Sequence, residues 1–310
     1  MTSTTTPPAG PPVPRLRALR DEVFAAADAV SPDRTLTLSV GVRVRIAGEE
    51  LAARLTPGLV EGDAAPRIDI VAWEGEPVPP TLDVEEEHYS ARDGVQVLSS
   101  RDTLRLADGD RAVFWVRDAR ALTRWETAAP LRTLLRWTLR PLQMVHAAAV
   151  VGPRGAALLA GPSGAGKSTT ALAAAEHGLG FVADDYCAVE GQTVHSLCAV
   201  GKLEEPWPGM EILPGGETPD GKYIVVPRGL TREAPLVSIV LPRVGGSLGL
   251  EPARPAEALS ALASSLLLLP GSTQADLAAL GELARSLPAH RLTTGPDPHA
   301  AAAALAEHLA

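Results

Sequence analysis

In the first third of the chain, apolar and polar positions mostly alternate. LTLSV (36–40) and VRVRIAG (42–48) have the period of two expected of strands with one buried face. The alternation returns in RIDIVAW, VQVLSS, TLRLAD and RAVFWVRD, with Asp, Gly and Pro turns between them. Two stretches break it with helical spacing. LRALRDEVFAAADAV (16–30) predicts a helix that ends before Ser-Pro-Asp, and EELAARLTPGL predicts a short one ending at Pro57. Residues 1–14 are Thr, Pro and Gly with almost nothing to bury, which predicts a disordered tail. Residues 15–143 thus read as a small β-rich, α+β domain, closed by a helix over 129–143.

Beyond it the pattern becomes that of an α/β domain over 144–310. HAAAVV and AALLAG flank the turn GPRG, a hairpin signal. A glycine-rich loop follows, then a helix over 167–177, a Gly-Leu-Gly turn and the strand FVA. Further strands are predicted at YIVVP, LVSIVLP and HRLTT, with helices at 256–268, 274–286 and PHAAAAALAEHLA. Residues 206–221 are rich in Pro and Gly and predict a long loop of lid size.

Composition narrows the function classes. A hydrophobic content of 45% with 21% charged residues is ordinary for a soluble globular protein. At 4% aromatic residues, the core has to rest on Ala, Leu and Val. The net charge of −9 argues against non-specific nucleic-acid or anionic-membrane binding. No apolar run reaches the roughly 18 uncharged residues of a membrane helix, and SSLLLLPG (264–271) is too short. The N-terminus lacks the charged start and apolar centre of a signal peptide, so a cytoplasmic location is expected. Cys187 and Cys198 have no metal-ligand spacing and read as free thiols of a reducing compartment.

The candidate chemistry is concentrated in LLAGPSGAGKSTTALAAAEHGLGFVADDY. Gly161, Pro162, Ser163, Gly164, Ala165, Gly166, Lys167 and Ser168 satisfy the P-loop pattern, after an apolar strand and at the start of a helix that continues through Thr169. The glycines let several backbone N–H groups face one anion at the positive end of that helix. Lys167 can reach the β- and γ-phosphates of ATP, and Ser168 can ligate Mg²⁺. One helix later come Asp184 and Asp185. A right-handed crossover makes their strand parallel to the P-loop strand, so the pair should face the phosphates across the crevice at the strand ends. Two acids there have two jobs, holding Mg²⁺ and taking a proton from an attacking hydroxyl.

His146 is placed by the hairpin. If residue 151 pairs with 156, then 146 falls opposite Gly161. There it either bonds a phosphate or tunes the acid pair, or it only caps the strand. Lys202, Lys222, Arg228 and Arg243 are downstream cations that could clamp a phosphate, and Glu204, Glu205 and Glu211 could add a metal ligand; spacing does not choose among them. Glu85, Glu86, Glu87 and His88 read as a solvated face, His177 as a helix C-terminal residue, and Trp207 as a stacking or packing residue of the long loop.

His146, GPSGAGKS and VADD together resemble the kinase domain of the bacterial HPr kinase/phosphorylase family, over about residues 146–190. That family is structurally akin to phosphoenolpyruvate carboxykinase and uses ATP to phosphorylate a serine of a small carrier protein. The resemblance implies that Asp185 is the proton acceptor, that Lys167 and Ser168 hold phosphate and Mg²⁺, and that His146 belongs to the active site; of the two acids this leaves Asp184 as the expected metal ligand. The family's Leu-Glu-x-Arg-Gly-Leu-Gly segment is not found; VHSLCAVGKLEEP stands in its place. The β-rich first half also resembles the leading region of HPr-kinase-like proteins encoded beside peptide-modification genes. The expected function is an ATP- and Mg²⁺-dependent kinase for a hydroxyl, a serine of a peptide or small protein, in a chain that could form a homo-oligomer. A small-metabolite kinase and a nucleotide-gated binding module with weak ATPase activity are the alternatives.

Overall fold

The structure is a computed structural model and describes residues 13–81, 85–122, 129–218, 221–267 and 270–310. Most of the expected disordered tail, residues 1–12, lies outside them, as do residues 268–269 of the SSLLLLPG run. The first helix, α1, spans Val13–Asp28. Strands β1 (Arg34–Leu38) and β2 (Val42–Ala47) follow, then α2 (Glu49–Leu55) and β3 (Ile68–Glu74). Next come β4 (His88–Arg92), β5 (Val95–Ser99), β6 (Thr103–Asp108) and β7 (Arg111–Val116), and then α3 (Ala129–Thr138).

These strands make one seven-stranded sheet in the order β1-β2-β3-β7-β6-β5-β4. The β2–β3 and β3–β7 pairs are parallel and the others antiparallel. The period-two pattern explains its burial. Val42, Val44 and Ile46 point to one face, where Leu51, Leu55, Leu131, Leu134 and Leu135 of α2 and α3 cover them. On the other face Trp73, Trp115, Val97 and Leu104 pack on Leu16 and Val23 of α1. Strand β4 was not foreseen, since the acidic run before it disguises its start. Glu85, Glu86 and Glu87 are exposed as expected.

Helix α3 stops at Thr138 rather than continuing to 143, because Pro141 cannot carry the helix on and disfavours helical geometry at its predecessor. The chain then enters β8 (Gln143–Val145), β9 (Ala147–Gly152) and β10 (Gly155–Ala160), with α4 at Lys167–Glu176 and β11 at Gly180–Ala183. Strands β12 (Cys187–Glu190), β13 (Thr193–Ser196), β14 (Gly201–Leu203), β15 (Glu211–Glu217) and β16 (Tyr223–Val226) precede the long β17 (Glu233–Arg243). Strand β18 (Gly245–Ala253), helices α5 (Pro255–Leu267) and α6 (Gln274–Ser286), β19 (Ala289–Gly295) and α7 (Pro298–His308) complete the chain.

The second sheet runs β11-β9-β10-β17-β13-β12-β8, and β19 joins it on β17 and carries β18. Strand β9 is antiparallel to both β10 and β11, so those two are parallel with β9 between them. Small side chains let α4 and α7 lie close on this sheet, where Ala148, Ala157, Ala171, Ala174 and Ala302 share a core with Leu172 and Leu305. The stretch 206–221 is not one long loop, because it holds β15, the edge of a small sheet ordered β14-β16-β15. Its Pro and Gly fit an edge strand whose register shifts between Ile212 and Glu217. Among the described residues no helix is long and apolar enough to cross a membrane.

Candidate functional site

The P-loop and the acid pair meet at the ends of β10 and β11. Val151 pairs with Ala156 and Ala147 with Ala160, so His146 does stand across from Gly161. After β10 the loop turns through Gly164 (φ 78°) and Gly166 (φ 93°), a left-handed backbone that a side chain would strain. Gly166 is also the N-cap of α4, which aims the helix N-terminus into the loop. Lys167 is buried, and its Nζ donates to Gly161 O at 2.9 Å and Pro162 O at 3.0 Å. Burial lowers its pKa, opposed by the charges of Asp184 and Asp185.

Asp184 follows β11 and is 1% exposed. It accepts from Ser168 Oγ at 2.9 Å and from the Lys202 N–H at 3.3 Å. Burial, and then the charge of Asp185, raise its pKa against the effect of those hydrogen bonds. Asp185 sits at φ 66°, and the Tyr186 N–H donates to Asp184 O at 2.8 Å. This three-residue turn sends neighbouring carboxylates in different directions. Positive φ at a non-glycine residue is uncommon, although Asp tolerates it better than most.

Asp185 reaches the cleft wall, where an imidazole and two cations surround it. His146 Nε2 lies 3.3 Å from one carboxylate oxygen, while Lys202 Nζ at 3.2 Å and Arg132 Nη1 at 3.8 Å approach the other. Burial alone would raise this carboxyl. The hydrogen bond from His146 and the charges of Lys202 and Arg132 outweigh it and hold Asp185 well below the usual carboxylate range. The Arg132 guanidinium also lies 4.7 Å from the Tyr186 ring centre, and the His146 backbone N–H donates to Ser265 Oγ at 2.9 Å.

A cleft of about 800 Å³ opens over these groups. Ser163, Gly164, Thr169, Asp184, Asp185 and His146 line it, together with Glu204, Glu205, Trp207, Thr218 and Lys222. Trp207 rests against His299, ring centres 5.0 Å apart, and His177 meets the same imidazole at 5.5 Å. Arg243 lines an adjoining hollow behind the P-loop with Pro162 and Ala165, and Ser163, Gly164 and Val244 border both it and the cleft. Arg228 and Glu211 are exposed and line neither.

Ser168 and Asp184 are suited to Mg²⁺. Both offer oxygen, and the hydrogen bonds Asp184 accepts come from a hydroxyl and a backbone N–H rather than from a cationic side chain. Mg²⁺ uses one or two carboxylates with water and phosphate, so it does not need a cage. Among the described residues no group of three or more His, Cys, Asp or Glu makes such a cage. Burial raises the Cys187 thiol and pushes Cys198 up to about 12, which removes both from thiolate chemistry near neutral pH.

Arg132 was missed by sequence reasoning. It stands in the LRTLLRWT face of α3, far from any motif, and only the tertiary fold brings it to Asp185. Lys202 was among the candidate cations but could not be singled out.

No family model matches this chain, and no curated protein matches it. Among solved structures it is similar to the HPr(Ser) kinase/phosphatase from Coxiella burnetii, with a TM-score of 0.28 and 14% identity over 54% of this chain and 95% of that one. The functional argument therefore rests on the residues of the site.

Proposed function

We propose that the protein is an ATP- and Mg²⁺-dependent kinase that phosphorylates a hydroxyl, a serine of a peptide or small protein, in the cytoplasm. One observation carries the reading: of two adjacent carboxylates, one is bonded to the P-loop serine and the other faces the cleft. ATP with Mg²⁺ would supply the phosphoryl group and neutralise charge on it. The amides of the Gly161–Ser168 loop and Lys167 bind the β- and γ-phosphates, and Ser168 Oγ and Asp184 hold the metal. Asp185 orients the acceptor hydroxyl and takes its proton as its oxygen bonds to the γ-phosphorus and the β–γ bridging bond breaks. His146 holds Asp185 in place, and Lys202 and Arg132 balance the negative charge gathered at the phosphates. In this reading the unit 15–143 serves the polypeptide acceptor, and its Arg132 reaches into the site carried by the unit 144–310.

A second reading changes only the proton acceptor. Asp185 is held in its charged form by the hydrogen bond from His146 and the charges of Lys202 and Arg132, which makes it a weak base. His146 would then accept the proton, with Asp185 orienting its ring. The nucleotide-gated module draws on the same ion cluster, which a bound γ-phosphate would rearrange.

The test is incubation with a γ-thiophosphate ATP analogue, Mg²⁺ and a lysate of the source cell, with Asp185→Asn and His146→Gln in parallel. Labelling of one polypeptide by the native protein supports the kinase. With Asp185 as base, Asp185→Asn is the more damaging variant; with His146 as base, the order reverses. Tight ATP binding without label on any species would leave the module as the better reading.

A further inference from the structure

A larger hollow, of about 880 Å³, lies on the seven-stranded sheet. Helix α3 covers one face of that sheet but ends at Thr138, and past its end the face is open. The register places the floor residues together, because Ala91 pairs with Gln96 and Gln96 with Ala107, while Tyr89 lies two positions before Ala91. Trp137 forms the helix-side wall, its ring 5.8 Å from that of Tyr89. The turn Gly271–Thr273 closes the far side, where Trp137 Nε1 donates to Pro270 O at 2.9 Å.

Charge and shape specify an occupant. Three arginines, Arg67, Arg92 and Arg140, line the hollow against one carboxylate, Asp110, in a chain of net charge −9. Arg140 is engaged with Asp276. Arg67 and Arg92 are exposed, and no salt bridge ties either among the described residues. The two stand at opposite ends of the hollow, Arg67 just before β3 and Arg92 at the end of β4, four strand spacings apart. At about 4.8 Å per spacing that is roughly 19 Å, which an extended chain of about six residues spans. An inorganic anion fills only part of such a cleft.

We propose that this cleft docks an extended, acidic polypeptide segment, with carboxylates on Arg67 and Arg92 and an apolar or flat side chain on the floor beside Tyr89. Helix α3 carries Trp137 at this cleft and Arg132 beside Asp185, about 7.5 Å apart along its axis. Here the inference rests on the kinase reading, in which the docked segment is a recognition sequence of the acceptor, distinct from its serine.

The experiment measures fluorescence anisotropy of a short fluorescein-labelled peptide alternating Glu with Val, without nucleotide. The expected result is binding that weakens as salt rises, and weakens about tenfold in the Arg67→Glu, Arg92→Glu double variant. ATP binding by that variant should be unchanged, which reports an intact fold. A peptide with Lys in place of Glu should not bind. Equal binding of the Lys peptide, indifference to the double variant, displacement by equimolar inorganic phosphate, or equal binding of a single-stranded oligonucleotide would each overturn the proposal. A Lys167→Ala variant separates the two readings. It should lose ATP and keep the peptide, whereas native protein that binds the peptide but not ATP would sink the kinase and leave the docking site standing.

Discussion

The floor of the P-loop cleft and its wall hold adjacent residues of the chain in opposite electrostatic surroundings. On the floor, Asp184 is buried against Ser168 and a backbone N–H, and its pKa is raised. On the wall, Asp185 stands among His146, Lys202 and Arg132, and its pKa is lowered. On the floor no cationic side chain donates a hydrogen bond to the carboxylate, whereas on the wall Lys202 donates one directly. Two carboxylates with the same intrinsic chemistry are thereby shifted in opposite directions. The left-handed turn at Asp185 is what separates them.

The largest expected effect is on turnover. Asp185→Asn should lower phosphotransfer about 10²–10⁴-fold with ATP affinity nearly unchanged, the scale of a lost general base. Asp184→Asn should instead raise the Mg²⁺ concentration needed by about 10–100-fold, and excess Mg²⁺ should restore part of the rate. Initial rates against Mg²⁺ for both variants would break the comparison if the two curves moved alike.

The stability of the metal-free protein sharpens it further. The lowered pKa of Asp185 contributes stability that is present above its ordinary value near 3.8 and is lost as pH falls below it. The raised pKa of Asp184 acts in reverse. It penalises the fold at pH above its native pKa, and the penalty fades as pH falls towards 3.8. Asp184→Asn should therefore stabilise the metal-free protein at neutral pH by about 1 kcal/mol, at the expense of the proposed metal site. Urea unfolding of native and variant protein across pH 3–8 checks this, and loss of stability at neutral pH would overturn the assignment.

A smaller change tests the loop itself. Gly166→Ala places a methyl group at φ 93° and about 3.2 Å from Val244 Cγ2. It should cost about 1 kcal/mol and weaken nucleotide binding by less than Lys167→Ala does, as thermal melting and ATP titration would show.

The legibility of the site followed the same division. Lys167, Ser168 and the two aspartates lie on one contiguous strand–loop–helix–strand unit, where local geometry fixes their relation, and His146 could be placed by hairpin register alone. Arg132 could not, because α3 reaches the site only through packing of the first sheet's helices, which periodicity does not report. Strands β12 to β15 were obscured for another reason. The first three are short, and 206–221 has the Pro and Gly content of a loop, although its pairing with β16 makes part of it an edge strand. In the first sheet most strands could be read from alternation, but not that β3 lies between β2 and β7 in a parallel core.

The smallest expected effect concerns the cations and acids that spacing could not rank. Lys202 touches Asp185, whereas Arg228 and Glu211 are exposed and line neither the cleft nor the hollow behind the P-loop. An exposed charge in water that lines neither acts on the site only through screened solvent. Arg228→Gln and Glu211→Gln should thus leave the turnover number and ATP affinity within error of native and change stability by less than about 0.5 kcal/mol. Lys202→Gln should lower turnover clearly and release the Asp185 carboxyl towards its ordinary pKa, so that its pH–rate profile shifts upward. If Arg228→Gln were as damaging as Lys202→Gln, then charge near Asp185 would not be what the wall supplies, and the contrast between floor and wall would lose its functional meaning.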